Sequence, residues 1–528
     1  MAKRPNILLL MADQLNASFL PMYGNRLIQA PHLQRLAERG TVFTNAYCNF
    51  PICAPSRYSM LTGRLPHSLD AFDNASELSA ATPTLMHYLR RQGYSTTLCG
   101  KMHFVGPDQL HGYENRLITD IYPADFAWVP DWRQGPRNAP TGISMRAVIE
   151  AGSCQRSLQI DYDDETEFLA QQKLFDLARG NRDQPFFMTV SFSHPHSPYT
   201  ASQEHWDRYR HDDIDMPKVG PLPLETLDKH SEWLYYSHGR DRYTVRPEHV
   251  RNARHAYYGM ISYVDDKIGR LLDILRCTGL EDDTLVVFTS DHGDMMGERG
   301  MWFKQCFFED AVRVPLLISG AGWSHRGAAD QLTSLIDLTP TLLDVACTEP
   351  VELHAPIHGR SLRAAVSGRS GAPMPVVVSE YSDMGVCAPC RMVRESTYKY
   401  IYTHGFPAQL YDLRKDPCEL DNLSGSPSLR EIEESLRQQL LSDWDGEVVN
   451  QRVLASQSAR QLIHAVTSGT RRSHNWSFMA RPDDDRRFVR SGGDAEGTVA
   501  TKGRARFPYV APAQPSGPGV PEDRLPRP

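Results

Sequence analysis

A cysteine, a proline and two arginines share one short stretch, Cys53-Ala54-Pro55-Ser56-Arg57 followed by Leu61-Thr62-Gly63-Arg64. Pro55 suits the first position of a helix and Gly63 its end, so Ser56 to Thr62 reads as about two turns. Cys53 then stands just before a helix N-terminus, where free backbone N–H groups and the macrodipole attract an anion. Arg57, about one turn further on, can fork to a carboxylate or an oxyanion. These residues suit a nucleophile in an anion site. They equally suit a buried free cysteine beside a surface arginine, since free cysteine packs as a small hydrophobe. A cysteine-dependent phosphatase fits poorly, because its loop places Arg six positions after Cys and position 59 is Ser.

Other polar residues fall at the ends of apolar runs. Asp13 follows the strand-like run Asn6 to Met11, and Lys101 and His103 follow Ser95 to Cys99. His194 and His196 follow Phe186 to Phe192, and Asp291-His292 follow Thr284 to Thr289. Singly, each has an ordinary explanation as a helix cap, a loop charge or a turn residue. In an open parallel sheet, however, ligands bind beyond the carboxyl ends of the strands, and four runs deliver these groups to one edge. Two carboxylates with an imidazole suit a divalent cation: oxygen ligands favour a hard ion and the imidazole admits manganese. Such an ion polarises an anionic ester and lowers the pKa of an attacking hydroxyl.

The elements behind this pattern alternate. Helical patterns at Pro31 to Arg39, Thr84 to Gln92, Asp164 to Arg179 and His255 to Cys277 lie between the strand-like runs, the last with Tyr258, Ile261, Val264, Ile268, Leu271 and Leu275 at helical spacing. This is the α/β pattern: a mostly parallel central sheet with helices on both faces, here spanning residues 1–365. Stretches near 106–157 and 197–246 read as long loops that shape a pocket. Beyond them, Pro375 to Ser379, Met392 to Val393, Tyr398 to Thr403 and Gln409 to Leu413 with the helix Leu429 to Leu441 predict a small antiparallel sheet-plus-helix domain over 366–450. Residues 451–490 read as an extension, and 491–528 as a mostly disordered tail, Pro/Gly-rich from Ala511.

With 528 residues, the chain exceeds the usual limit for one core. A net charge of −7 leaves no basic footprint, which argues against nucleic acid as a partner. Ten cysteines lack disulfide-framework spacing, and Cys387-Ala-Pro-Cys390 has no second C-x-x-C to complete a zinc site. The apolar run ending at Ala12 is too short for a signal-peptide core or a membrane span, so the cytoplasm is expected.

The cysteine motif and the strand-end residues resemble the sulfatases of the alkaline-phosphatase-like superfamily, over Pro5 to about Leu423. Within that family the segments Met11 to Asn16, Gly100 to Gln109, Thr119 to Phe126, Ser290 to Asp294 and Trp302 to Lys304 are most similar to the choline-sulfatase subgroup. The resemblance implies that Cys53 is oxidised by a formylglycine-generating enzyme to formylglycine, whose hydrate attacks sulfur. It implies that Arg57 and Lys101 stabilise the hydroxyls, and that His103 orients one and accepts its proton during sulfate release. Asp13, Asp291, His292 and the modified Cys53 would hold the metal. His194 and Lys304 would contact the sulfate and the leaving oxygen, with His194 the general acid. Gln14 and His292 replace the Asp and Asn of many sulfatases, which leaves Mn or Mg open beside Ca.

The subgroup implies a small sulfate ester as substrate, with choline sulfate the first choice. A quaternary ammonium has no hydrogen-bond donor and needs an aromatic wall. Trp128 is the candidate, with Asn74 in another matching stretch. Met384 stands where the subgroup tends to carry an acid. The rivals are an arylsulfatase or phosphonate monoester/phosphodiester hydrolase of the same superfamily, and a catalytically dead anion-binding relative. A homo-oligomer, a tetramer as in related enzymes, is expected from Val453, Leu454, Leu462, Ile463, Trp476 and Phe478 in the extension.

Overall fold

The run Asn6–Ala12 has no polar side chain after its first residue, and such a strand is stable only with both faces covered. In the computed structural model, which describes residues 4–347, 349–366, 376–468, 502, 506–521 and 524, it lies at the centre of the sheet. It pairs in parallel with Thr284–Ser290 on one side and Phe186–Phe192 on the other. The whole sheet has eight strands, in the order Gly327–Ala329, Thr41–Phe43, Leu316–Gly320, Thr284–Ser290, Asn6–Ala12, Phe186–Phe192, Ser95–Gly100, Asn115–Arg116. Leu316–Gly320 runs antiparallel to both neighbours, and the strands from Thr284–Ser290 to Asn115–Arg116 are all parallel.

Successive side chains of a strand point to opposite faces, and here each face has its own core. Ile7, Leu9 and Met11 pack with Tyr58, Leu61, Leu89 and Leu342 on one side. Leu8, Leu10 and Ala12 pack with Leu33, Leu174, Tyr258, Ile268 and Leu271 on the other. The helices on that second side run longer than the sequence pattern indicates. Leu158–Arg179 gains a turn because Ser157 accepts from the Ile160 N–H at 3.2 Å, and Pro247–Cys277 begins at a proline.

The second sheet is a sequential antiparallel meander, Val376–Tyr381, Cys390–Glu395, Tyr398–Thr403 and Gln409–Asp412, against which Arg430–Leu441 buries Leu436 and Leu440. Its Val377, Met392 and Ile401 belong to the same core as Phe50 and Ile52, just ahead of Cys53. The helix Gly446–Ser468 then folds back over the part of the chain built on the eight-stranded sheet. The Trp132 N–H donates to Gln457 Oε1 at 3.1 Å, and Arg460 forks to Asp73 at 2.5 and 2.6 Å. Val453 is buried, whereas Leu454, Leu462, Ile463 and Val466 are exposed; Trp476 and Phe478 lie outside the described residues. Within the tail, Arg506–Phe507 pairs antiparallel with Arg156–Ser157.

Candidate active site

All ten residues of the helix Cys53–Thr62 are buried, and Gly63 ends it at φ +69°. The helix begins at Cys53 itself, three residues before the start that Pro55 suggests. Asn74 extends it, with Oδ1 accepting from the Ala54 N–H at 2.9 Å while its own N–H donates to Asp383 at 3.0 Å. Asn74 also lines the cavity in front of Cys53.

The parallel strands bring their carboxyl ends to this helix. Gly100, at φ +98°, turns the chain toward Lys101; a Cβ there would sit 2.1 Å from the Ser191 carbonyl oxygen, so only glycine fits. Lys101 Nζ reaches Asp13 and lies 3.2 Å from Cys53 Sγ, and His292 Nε2 lies 3.3 Å from the same sulfur. Arg57 Nε donates to Asp291 Oδ2 at 2.8 Å and its Nη1 to the Lys101 carbonyl and to Ser191 Oγ. Gln14, His103, Phe303 and Gln305, next to these groups or among them, hold φ between +61° and +80°. Non-glycine residues there cost about 1–3 kcal/mol each and persist where surrounding structure over-determines them, commonly at functional sites.

The electrostatics match a reactive centre. Burial opposes ionisation of the Cys53 thiol, yet Lys101, Lys304 and His292 together hold it well below its usual range. Asp13 is pushed up to about 7 by burial and by Cys53, with Lys101 opposing. Asp291 is buried too, but Arg57 and His292 hold its carboxyl below the usual range. Asp13, Cys53, Asp291 and His292 form a fully buried cluster whose donor atoms all lie within 4.8 Å of one another. Two carboxylates, an imidazole and the position-53 side chain in that space fit a divalent metal. Gln14 is not among them. Its N–H donates to Asp291, and its side chain bridges Asp294 and Lys304. Arg57 Nη2, 3.9 Å from Asp13 Oδ1, and both ring nitrogens of His103 are buried without a close hydrogen bond among the described residues, so donors and acceptors stand beside Cys53 for a larger polar group than a thiol.

One expected residue is elsewhere. His194 turns away from the cavity: Nδ1 meets Asp163 Oδ2 at 2.6 Å and the ring packs on Tyr263, 4.8 Å between centroids. His196 takes the place in the site. Its Nε2 lies 2.6 Å from Lys304 Nζ, and its Nδ1 lies 2.5 Å from the Ser197 carbonyl, which puts the ring proton on Nδ1 and leaves Nε2 to accept from the ammonium. Burial, then Lys304, keeps His196 neutral, well below the usual imidazole range. Both histidines follow the same strand, so the spacing alone does not choose between them; the carboxylate of Asp163 on the neighbouring helix does.

Around Cys53 lies a narrow cavity lined by Tyr122, Trp128, Thr141, His196, Lys304 and Met384. The Trp128 ring stands 4.9 Å from Tyr122 and 5.4 Å from His103, centroid to centroid. Met384 accepts from Thr141 Oγ1 at 3.2 Å. Burial and Asp73 push the pKa of the adjacent Asp383 well above the carboxylate range, which weakens it as a counter-charge. Gln305 and Thr141 are lining residues that no motif marks, because they come from loops without periodicity; Tyr122 lies within the matching segment Thr119 to Phe126, but nothing in its spacing marks it as a wall of the cavity.

A family model described as Sulfatase matches residues 5–348, and one described as N-sulphoglucosamine sulphohydrolase, C-terminal, matches 297–445. The chain is 42% identical over 496 residues to a choline-sulfatase of Rhizobium meliloti, covering 92% of this chain and 96% of that protein. It is 28% identical to an arylsulfatase of Clostridium perfringens, over 84% of this chain and 95% of that one. Among solved structures, a phosphonate monoester hydrolase of Agrobacterium radiobacter superposes with TM-score 0.67 at 25% identity, covering 86% of this chain and 96% of that chain. A Bacteroides thetaiotaomicron structure titled a putative sulfatase superposes at 0.65, also at 25% identity, over 86% and 94%.

Proposed function

The chain belongs to the sulfatase family and is a sulfuric ester hydrolase, and from that premise we propose that it cleaves choline sulfate to choline and sulfate. The observation that carries the choice of ester is the aromatic cavity at Cys53, whose Trp128 ring suits a cation without hydrogen-bond donors. The 42% identity to a choline-sulfatase supports it. With the Asp383 pKa raised and Met384 in the lining, recognition of the ammonium rests mainly on Trp128 and on the polarisable thioether.

In this reading Cys53 is converted to formylglycine, which supplies a hydrated aldehyde: one hydroxyl attacks sulfur and the other later expels sulfate. Asp13, Asp291, His292 and the modified side chain would hold one divalent ion, which would supply Lewis-acid polarisation of the ester and favour an ionised hydroxyl. Arg57 favours the ionised form of Asp291 and holds Nη2 3.9 Å from Asp13 Oδ1, and Lys101 pairs with Asp13. His103, neutral because burial lowers its pKa, can accept a hydroxyl proton. The Lys304–His196 pair shares one proton across 2.6 Å and delivers it to the leaving oxygen. His196→Ala should therefore lower kcat/KM by about 100-fold with the fold intact. His194→Ala should act through stability, because it leaves Asp163 buried without its imidazole. Thermal melts and steady-state kinetics on both variants separate these effects, and equal melting losses with equal rate losses would return His194 to the site.

Trp128→Ala tests the substrate. A cation over an indole face contributes about 0.5–2 kcal/mol, so choline sulfate should lose roughly 2- to 30-fold in kcat/KM. An uncharged aryl sulfate should lose only packing. Equal losses on both esters would make Trp128 structural and remove the main physical support for choline. The phosphonate monoester hydrolase reading draws on a shared fold, and relative rates on matched sulfate and phosphonate esters decide it. Assembly belongs to the same proposal: Leu462, Ile463 and Val466 are exposed on one helix and suit a contact with a second copy of the chain.

A further inference from the structure

Three ammonium groups stand near Cys53: Lys304 lines its cavity, Lys101 lies 3.2 Å from its sulfur, and Lys502 touches Tyr122 and His196, which line it; among the described residues only Lys101 has a carboxylate. Lys101 is paired with Asp13. Lys304 donates to Gln14 Oε1 and His196 Nε2, both uncharged. The third, Lys502, comes from the C-terminal tail. It is fully buried; its Nζ donates to Tyr122 Oη at 2.6 Å, lies 3.4 Å from His196 Nδ1 and sits over the Tyr122 ring at 4.7 Å. Among the described residues no carboxylate forms an ion pair with Lys304 or Lys502.

The tail is seated so as to bring this lysine in. Four residues on, Arg506 donates to Thr200 Oγ1 at 3.0 Å and to the Glu150 carbonyl at 2.8 Å, and Arg506–Phe507 adds a strand to Arg156–Ser157. Further along, the Ala513 N–H donates to Glu150 Oε1 at 2.7 Å and the Ser516 N–H to the Arg242 carbonyl at 2.6 Å. These contacts form a strap across the catalytic domain.

A buried ammonium without a carboxylate in contact is unfavourable, and among the described residues only the more distant charges of Asp13 and Cys53 offset it. Burial pushes Lys502 down to about 7, and Lys101 and Lys304 add to this against Asp13. An anion bound between these groups removes the imbalance, and a sulfate ester carries one negative charge over its free oxygens. We propose that Lys502, carried in by the C-terminal strap, is a substrate-binding residue whose ammonium receives the sulfate group of the ester, and the sulfate ion after cleavage. This rests on the sulfuric ester reading of the site and adds to it a group from outside the catalytic sheet.

The test is the affinity for inorganic sulfate, measured by calorimetry on the full chain, beside KM and kcat for the ester. Lys502→Met should weaken sulfate binding and raise KM by about 10- to 100-fold, with a smaller change in kcat. Lys502→Arg should stay within a few-fold of wild type. If Lys502→Met is poorly folded, Lys502→Gln gives the same comparison. Unchanged sulfate affinity in a folded variant would overturn the proposal, as would faster turnover, which would make the lysine a plug. Equal falls in melting temperature for the Arg and Met variants, with sulfate affinity unmoved, would also overturn it in favour of a structural role. Calorimetry reads binding without turnover, so a different leaving group or an unmodified Cys53 would sink the choline sulfate reading and leave this result standing.

Discussion

Cys53→Ser is expected to abolish multiple turnover, by about 10,000-fold or more, while the melting temperature stays near wild type. The substitution is nearly isosteric in a helix whose residues are all buried, so the packing has little to lose. Chemically it removes the second hydroxyl. A serine can at best accept sulfate from the ester and then has no group with which to expel it. Sulfated enzyme would accumulate at one equivalent, visible by intact mass. The wild-type peptide across Cys53 should show the mass change of thiol-to-aldehyde conversion, which an unconverted, anion-binding relative would lack. Full turnover by the serine variant would sink the nucleophile assignment.

Asp291→Ala should bring the second largest loss, about 1,000-fold in kcat/KM, together with loss of bound metal. Two effects combine. The cluster loses one of two carboxylates, and Arg57 keeps a buried guanidinium whose 2.8 Å partner is gone. Breaking such a fully buried pair costs about 3–5 kcal/mol. Asp291→Asn separates them, since it keeps an acceptor near Arg57 and Gln14 while removing the charge that binds the ion. We expect Asn to lose metal and activity with most of the stability retained. Metal content by mass spectrometry, beside urea unfolding, checks both, and a chelator should reproduce the activity loss in the wild type. An alanine variant with full metal content and wild-type rate would make the cluster merely structural.

Much of this protein is legible in its sequence because the signals are local. NILLLMA can only be a strand covered on both faces, and four such runs ending in Asp13, Lys101, the histidines and Asp291-His292 must place them together if the sheet is parallel. Pro55 and Gly63 announce a helix between them, though not its start at Cys53. Those arguments use only neighbours in the chain and the direction of a parallel strand, so they survive folding unchanged.

What folding alone decides is which side chain faces in, and what arrives from far away. His194 and His196 stand at the same strand end, and Asp163 draws the first to the helix side and leaves the second to Lys304. The helix start moves back to Cys53 because Asn74, distant in sequence, accepts its second N–H. The Asp383 pKa is raised because it is buried near Asp73, and Trp128 becomes a cavity wall because Tyr122 and His103 pack beside it. Lys502 is the extreme case. It lies in a tail without periodicity, 449 positions from Cys53, and its burial beside Tyr122 depends on a strap whose hydrogen bonds join segments hundreds of residues apart. Loop contacts and desolvation are sums over the whole fold, and no window of sequence contains them.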